Sequence, residues 1–338
     1  MLAEGIFFVF LQSENGPSGH SERSVRQLFL TKNMTMIVPK ALKTGDLVAL
    51  VATARKVSPE EMVPAVATLQ RWGLRVRVPE DLYETENQLA GSDEHRARML
   101  QELLDDAEVK AIFCCRGGYG TVRIIDKIDF RRFKEEPKWI VGYSDVTVLH
   151  SHLQATLGVA TLHATMPINF PAEGENTDTE SLRRALMGEP MEPLTCQPHR
   201  LNRAGEAEGV LVGGNLSILY SLCGSRSQVD TRGKILIIED LDEYLYHIDR
   251  MMQGLKRSGM LEGLAGLAVG HLSDMHDNAV PFGKTAEEIV AEAVAEYGYP
   301  VVFGVNVGHC VGANYAVKLG SKYRLEAHNS KNSRIFAP

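Results

Sequence analysis

Long apolar runs, basic clusters and paired cysteines are all missing from this sequence, and each absence removes a class of function. The amino-terminal apolar stretch, residues 5–11, is far too short to cross a bilayer, which takes about 20 apolar residues. It has no basic flank before it and no small-residue cleavage site after it, so it does not read as a secretory signal. No run of Lys or Arg occurs and the formal net charge is −7, so neither a nucleic-acid partner nor a membrane is expected. The five cysteines form no spaced framework, and Cys114 and Cys115 are adjacent inside an apolar segment. That is the inventory of a reduced, intracellular protein. Neither a Gly-x-Gly-x-x-Gly loop nor the Gly-Lys-Ser/Thr ending of a Walker loop is present. No helical His-x-x-x-His and no cysteine pair marks a metal site. There is no internal repeat and no low-complexity segment.

What remains is an ordinary globular composition, 44% hydrophobic and 23% charged over 338 residues, enough for one large or two medium domains. Residues 1–35 read as an extension, a poorly ordered tail or an upstream start, with the first domain beginning near Met36. From Gly45 onward strands and helices alternate. Residues 47–52, 74–78 and 109–115 read as strands, with helices between them. Ser58-Pro59-Glu60-Glu61 is a capping box with proline at the first helical position, and Ser92 and Asp93 can cap the next helix. Such repetition predicts an α/β protein of two domains. The N-terminal one, 36–170, is a flavodoxin- or Rossmann-like parallel sheet with flanking helices. A linker rich in Pro, Glu, Gly, Asn and Thr covers 171–205, interrupted by a short helix over 179–187. A C-terminal α/β domain occupies 206–338, with strands over 235–238, 264–270 and 301–307 and a capped helix from Thr285.

Reactive or glycine-rich residues end four of these strands: Arg116-Gly117-Gly118, Gly142-Tyr143-Ser144, Glu239-Asp240 and Gly308-His309. Functional groups in open parallel sheets collect at those ends. In Trp139–Thr147 an apolar strand runs into Gly142, a lone Ser144 follows, and a helical pattern starts at once. Such a corner exposes a serine hydroxyl at the tip of a sharp bend. The local pattern, Gly-x-Ser-x-Val, lacks the second glycine of the usual elbow, and Ser144 could instead cap a helix. A serine becomes nucleophilic when an imidazole takes its proton and a carboxylate orients that imidazole. The order Ser144, Glu239, His309 allows this, with Asp240, Asp242 and Glu243 as rivals for the carboxylate. Gly117–Gly120 could turn backbone N–H groups toward an oxyanion or, equally, a phosphate. A metal reading of His271, Asp274, His276 and Asp277 has ligand types but no recognised spacing.

Taken together, these motifs resemble the LD-carboxypeptidase (muramoyltetrapeptide carboxypeptidase) family of serine peptidases. The resemblance spans roughly 45–325 and rests on six stretches in order: residues 91–98, 116–120, 142–150, 213–216, 238–250, and Gly308-His309 followed by Asn314. It implies Ser144 as nucleophile, His309 as general base and Glu239 as the orienting carboxylate. The backbone N–H groups of Gly118 and Asp145 would form the oxyanion hole. Arg116, with Gly117 and Tyr143, is the candidate contact for the substrate's free carboxylate. It further implies removal of the terminal D-alanine from muropeptide tetrapeptides in cell-wall recycling, a cytoplasmic location, a homodimer, and no cofactor or metal. Two departures bear on the pocket. His163-Ala164-Thr165-Met166-Pro167 replaces a common His-Gly-Pro run, and a usual proline is missing after Asn314.

A sister branch resembles the microcin C self-immunity proteins, hydrolases of aminoacyl nucleotides. Such a substrate would use an aromatic platform, and the chain has only Trp72 and Trp139, with no tryptophan in 171–205. A muropeptide-binding module without turnover is a further alternative, although all three triad positions hold competent residue types.

Overall fold

The structure is a computed structural model and describes residues 36–338; the expected extension over 1–35 lies outside the described residues. Apolar segments build the centre of the first sheet, with the polar Arg-Val-Arg strand β2 at its edge. β1 (Leu47–Val51), β2 (Arg75–Arg77), β3 (Val109–Cys114), β4 (Trp139–Gly142) and β5 (Thr161–His163) pair in parallel, in the order β2-β1-β3-β4-β5. Every residue of β1 and β4 is buried, as expected of parallel strands covered on both faces. The order is that of the flavodoxin-like class. The helices between the strands begin where their caps predict. Ser58 and Glu61 close a capping box before Pro59–Arg71, and the Ser92 hydroxyl accepts the His95 N–H before Asp93–Asp105. Such caps each contribute about 0.5–2 kcal/mol.

The second sheet contains β6 (Leu194–Cys196), β7 (Gly205–Asn215), β8 (Ile235–Leu241), β9 (Gly266–Ser273) and β10 (Val301–Phe303), followed in the chain by β11 (Val317–Leu319), β12 (Lys322–Ala327) and β13 (Ser333–Phe336). β7, β8, β9 and β10 are parallel neighbours, whereas β12, β13 and β6 extend the other edge antiparallel. The long β7 serves both halves. Its residues 205–210 pair with β12 and its residues 211–215 with β8. β11 instead crosses back to the first sheet, antiparallel to β5.

Two departures from the sequence pattern matter for the site. The strand expected over 301–307 pairs only as far as Phe303. Beyond Gly304 the chain stays beside β9 through single bonds, Val305 N–H to Val269 O and His271 N–H to Val307 O. The polar stretch 171–205 holds a capped helix, Thr177–Met187, and contributes β6 to the second sheet.

Candidate active site

β4 delivers Ser144 to the carboxyl edge of the first sheet. Its backbone adopts φ +63°, a left-handed conformation costing a non-glycine residue about 1–2 kcal/mol. A short 3₁₀ turn, Ser144–Val146, then leads into the helix Thr147–Thr156. The Ser144 hydroxyl caps neither, so the helix-cap reading fails and the strained serine is left partly open to solvent.

The glycine loop after β3 lies directly against it. A Cβ on Gly117 would come within 2.9 Å of the Ser144 Cβ and 3.0 Å of its Oγ, so only glycine permits this approach. The N–H groups of Gly118 and Asp145 have no acceptor among the described residues. Two buried side chains hold the loop. Asp145 Oδ2 accepts the Thr121 N–H at 2.9 Å. Arg96 Nη1 donates to Thr53 O at 2.7 Å and to Gly120 O at 2.9 Å, and its other end pairs with Asp93. The stretch 91–98 thus acts as a brace under the loop.

Glu239 lies near the carboxyl end of β8, fully enclosed. Its Oε2 accepts the His309 Nδ1–H at 2.7 Å. Burial pushes the Glu239 carboxyl up, but the flanking His163 and His309 imidazoles outweigh that and hold it below the usual carboxylate range. Burial pulls His309 down, yet its bond to Glu239 and that carboxylate's charge leave it above the ordinary histidine value. A Cβ on Gly308 would lie 3.0 Å from Glu239 Oε2, so the chain must be bare there for the histidine to reach. The Tyr143 ring, one residue before Ser144, packs 4.7 Å from the His309 ring. Tyr143 thus places the turn of the strained serine, with its free backbone donors, beside the histidine–carboxylate pair of the second sheet, and these are the residue types that acyl transfer uses.

Models of the LD-carboxypeptidase N-terminal and C-terminal domains match residues 48–164 and 208–325. The chain belongs to the LD-carboxypeptidase family. A probable murein peptide carboxypeptidase of Bacillus subtilis is 38% identical over 291 residues, covering 84% of this chain and 90% of that protein. A crystal structure of muramoyltetrapeptide carboxypeptidase from Oxalobacter formigenes superposes with TM-score 0.78 at 26% identity, over 86% of this chain and 99% of that one. The microcin C7 self immunity protein MccF, in complex with aspartyl sulfamoyl adenosine, shares the fold with TM-score 0.76 at 22% identity, over 89% and 99%.

In this LD-carboxypeptidase the rival carboxylates have other partners. Asp240 takes Asn215 Nδ2 and the Ser217 and Leu241 N–H groups, and burial beside Glu239 raises its carboxyl to about 7. Asp242 faces His276, and Glu243 faces His247. His271 uses its backbone N–H on Val307 O, and no three of the described His, Cys, Asp or Glu side chains gather as a metal site. No helix among the described residues is long and apolar enough to cross a membrane. Of the candidate substrate contacts, Arg116 is partly exposed and Tyr143 is buried. Arg116 lies 3.6 Å from Glu61, and the Tyr143 hydroxyl lies 3.4 Å from Asn169 Oδ1.

Sequence reasoning missed Asp178 and His163. Asp178, in the first turn of Thr177–Met187, accepts the Gly312 N–H at 2.8 Å and the Asn314 N–H at 2.9 Å, and Asn314 Oδ1 accepts the Gly308 N–H at 3.1 Å. This chain clamps the loop that carries His309. An acidic residue just after the helix-capping Asn176 was the available signal, but its partners lie more than 130 residues away. His163 ends β5 and approaches the second oxygen of Glu239 at 3.7 Å.

Proposed function

We propose that this protein is a serine LD-carboxypeptidase that releases the terminal D-alanine from muropeptide tetrapeptides in cell-wall recycling. The observation that carries the reading is the 2.7 Å His309–Glu239 bond beside a serine held at φ +63°. The peptide substrate is supported by the names of the relatives above. His309 Nε2 takes the Ser144 proton as Oγ attacks the carbonyl of the L,D-peptide bond. The Gly118 and Asp145 N–H groups receive the oxyanion, and Glu239 stabilises the imidazolium through Nδ1. His309 then gives that proton to the amine of the departing D-alanine, leaving an acyl ester on Ser144. Water, deprotonated by His309, attacks the ester, and His309 returns that proton to the departing Ser144 Oγ as the shortened peptide leaves as its acid.

The same reading assigns Ser144 to an N-terminal domain over 36–170 and Glu239 and His309 to a C-terminal domain over 206–338, joined by 171–205. It includes a cytoplasmic homodimer that needs no metal. The test is D-alanine release from purified muropeptide tetrapeptide by wild type, by Ser144→Ala and in a chelator. Release that the chelator spares and the variant loses supports the reading. Absence of release from folded wild type overturns it, and an aminoacyl sulfamoyl adenosine is then the substrate to try.

A further inference from the structure

We infer that His163 is a positioning residue for the reaction, holding the second oxygen of Glu239 from the opposite sheet so that an imidazole flanks each end of the carboxylate. The inference rests on the serine-hydrolase reading above and goes beyond its triad. Glu239 and His163 are both fully buried. His309 occupies Oε2, but Oε1 has no hydrogen-bond partner, and neither ring nitrogen of His163 has one either. A buried carboxylate oxygen without a donor is costly. His163 Nε2 stands 3.7 Å from that oxygen, roughly 0.8 Å beyond hydrogen-bond length, and a small rotation of either side chain closes the gap.

The surroundings leave His163 no competing charge. Its ring lies 5.8 Å from Tyr143 and 6.2 Å from His150. His150 is engaged with Gly142 O at 2.9 Å, and burial pulls its pKa down to about 3, so it is neutral. On the other side Glu239 faces His309, with Asp240 next in the chain and bound to Asn215 and Ser217. His271 of the neighbouring β9, whose pKa burial pulls below the ordinary histidine value, also lies within the field of Glu239. The placement also has a mechanical meaning. His163 pairs in register with Gly142, two residues before Ser144, and with Val317 of β11, whereas Glu239 belongs to β8 of the second sheet. The contact therefore registers the strand of the nucleophile against the strand of the carboxylate.

A donor on Oε1 stabilises the anionic Glu239 and so lowers the proton affinity of the His309–Glu239 pair. Without it the pair holds its proton more tightly, and the acid limb of kcat/KM moves to higher pH. His163 touches no solvent, so KM should not follow. The experiment compares wild type, His163→Leu and His163→Gln, the last keeping a side-chain N–H. It reads kcat, KM and pH profile for D-alanine release from muropeptide tetrapeptide, and the rate at which a fluorophosphonate labels Ser144. We expect His163→Leu to lower kcat and labelling about ten- to a hundredfold, with KM within about twofold. Its acid limb should move up, and His163→Gln should recover most of the loss. A folded His163→Leu with wild-type kcat and acid limb overturns the inference, as do equal losses in both variants with an unmoved acid limb. ¹⁵N-histidine NMR of the wild type needs no variant to fold. A protonated Nε2 with a downfield proton on His163 supports the contact, and a bare Nε2 overturns it. If wild type labels at Ser144 yet releases no D-alanine, the substrate reading fails while the labelling rates still decide the role of His163.

Discussion

Gly117→Ala should disable the enzyme while leaving it folded. The added methyl would lie 2.9 Å from the Ser144 Cβ, 3.0 Å from its Oγ and 3.4 Å from Met166 Cε. Ordinary carbon contacts sit at about 3.5–4.0 Å, so a gap of roughly 0.5–1 Å must open. Met166 can give way at its flexible end. Ser144 cannot do so freely, because its left-handed backbone is fixed between buried β4 and the helix Thr147–Thr156. The displacement therefore falls on the nucleophile or on the loop that carries the Gly118 donor. Misplacing reacting groups by about 1 Å costs about 10²-fold in rate. Overpacking of this kind costs about 1–3 kcal/mol of stability, a fall of several degrees in melting temperature. Steady-state D-alanine release should thus show kcat down about a hundredfold, with a cooperative thermal transition retained. Wild-type kcat in the variant would show that Ser144 and the loop are not the fixed pair described here.

Ser144→Ala should lower turnover by about four to six orders of magnitude and leave the melting temperature within a few degrees, since loss of one triad member removes the nucleophile and not the core; residual activity near wild type would rule out Ser144. Because Glu239 raises His309 above the ordinary value of 6.5, and the proposed general base must be unprotonated to accept the serine proton, kcat/KM should fall with acid through a pKa above 6.5; an acid limb at or below 6.5 contradicts the pairing. Asp178→Ala frees two loop N–H groups, and kcat should drop about tenfold or more with little change in fluorescence-detected substrate affinity; an unchanged kcat would show that the His309 loop stands by itself. Arg96→Met leaves Thr53 O and Gly120 O without their buried donor and should cost about 3–5 kcal/mol in denaturant unfolding; a loss under about 1 kcal/mol would remove Arg96 as the brace.

Local signals in the sequence carried the capped helices and the first four strands of the first sheet. Ser58, Ser92 and Thr285 cap where their neighbours require it, and the apolar runs of β1, β3 and β4 become buried parallel strands. Register was not legible. Glu239 and Asp240 are adjacent, and on a strand adjacent side chains point to opposite faces. Only the pairing of β8 with its neighbours turns Glu239 toward His309 and Asp240 toward Asn215. The missing second glycine left Ser144 divided between elbow and cap, and its positive φ decides against the cap. Long-range partners were invisible for the same reason. The Asp178 clamp spans 136 residues to Asn314, and the return of β11 to the first sheet leaves no mark in local composition.

Intact-protein mass spectrometry of an acid-quenched reaction tests the proposed covalent step at Ser144 most directly. Wild type mixed with muropeptide tetrapeptide should gain the mass of the peptide minus D-alanine, and peptide mapping should place that acyl group on Ser144. Turnover of D-alanine with no adduct at any quench time, or an adduct on another residue, would contradict the account.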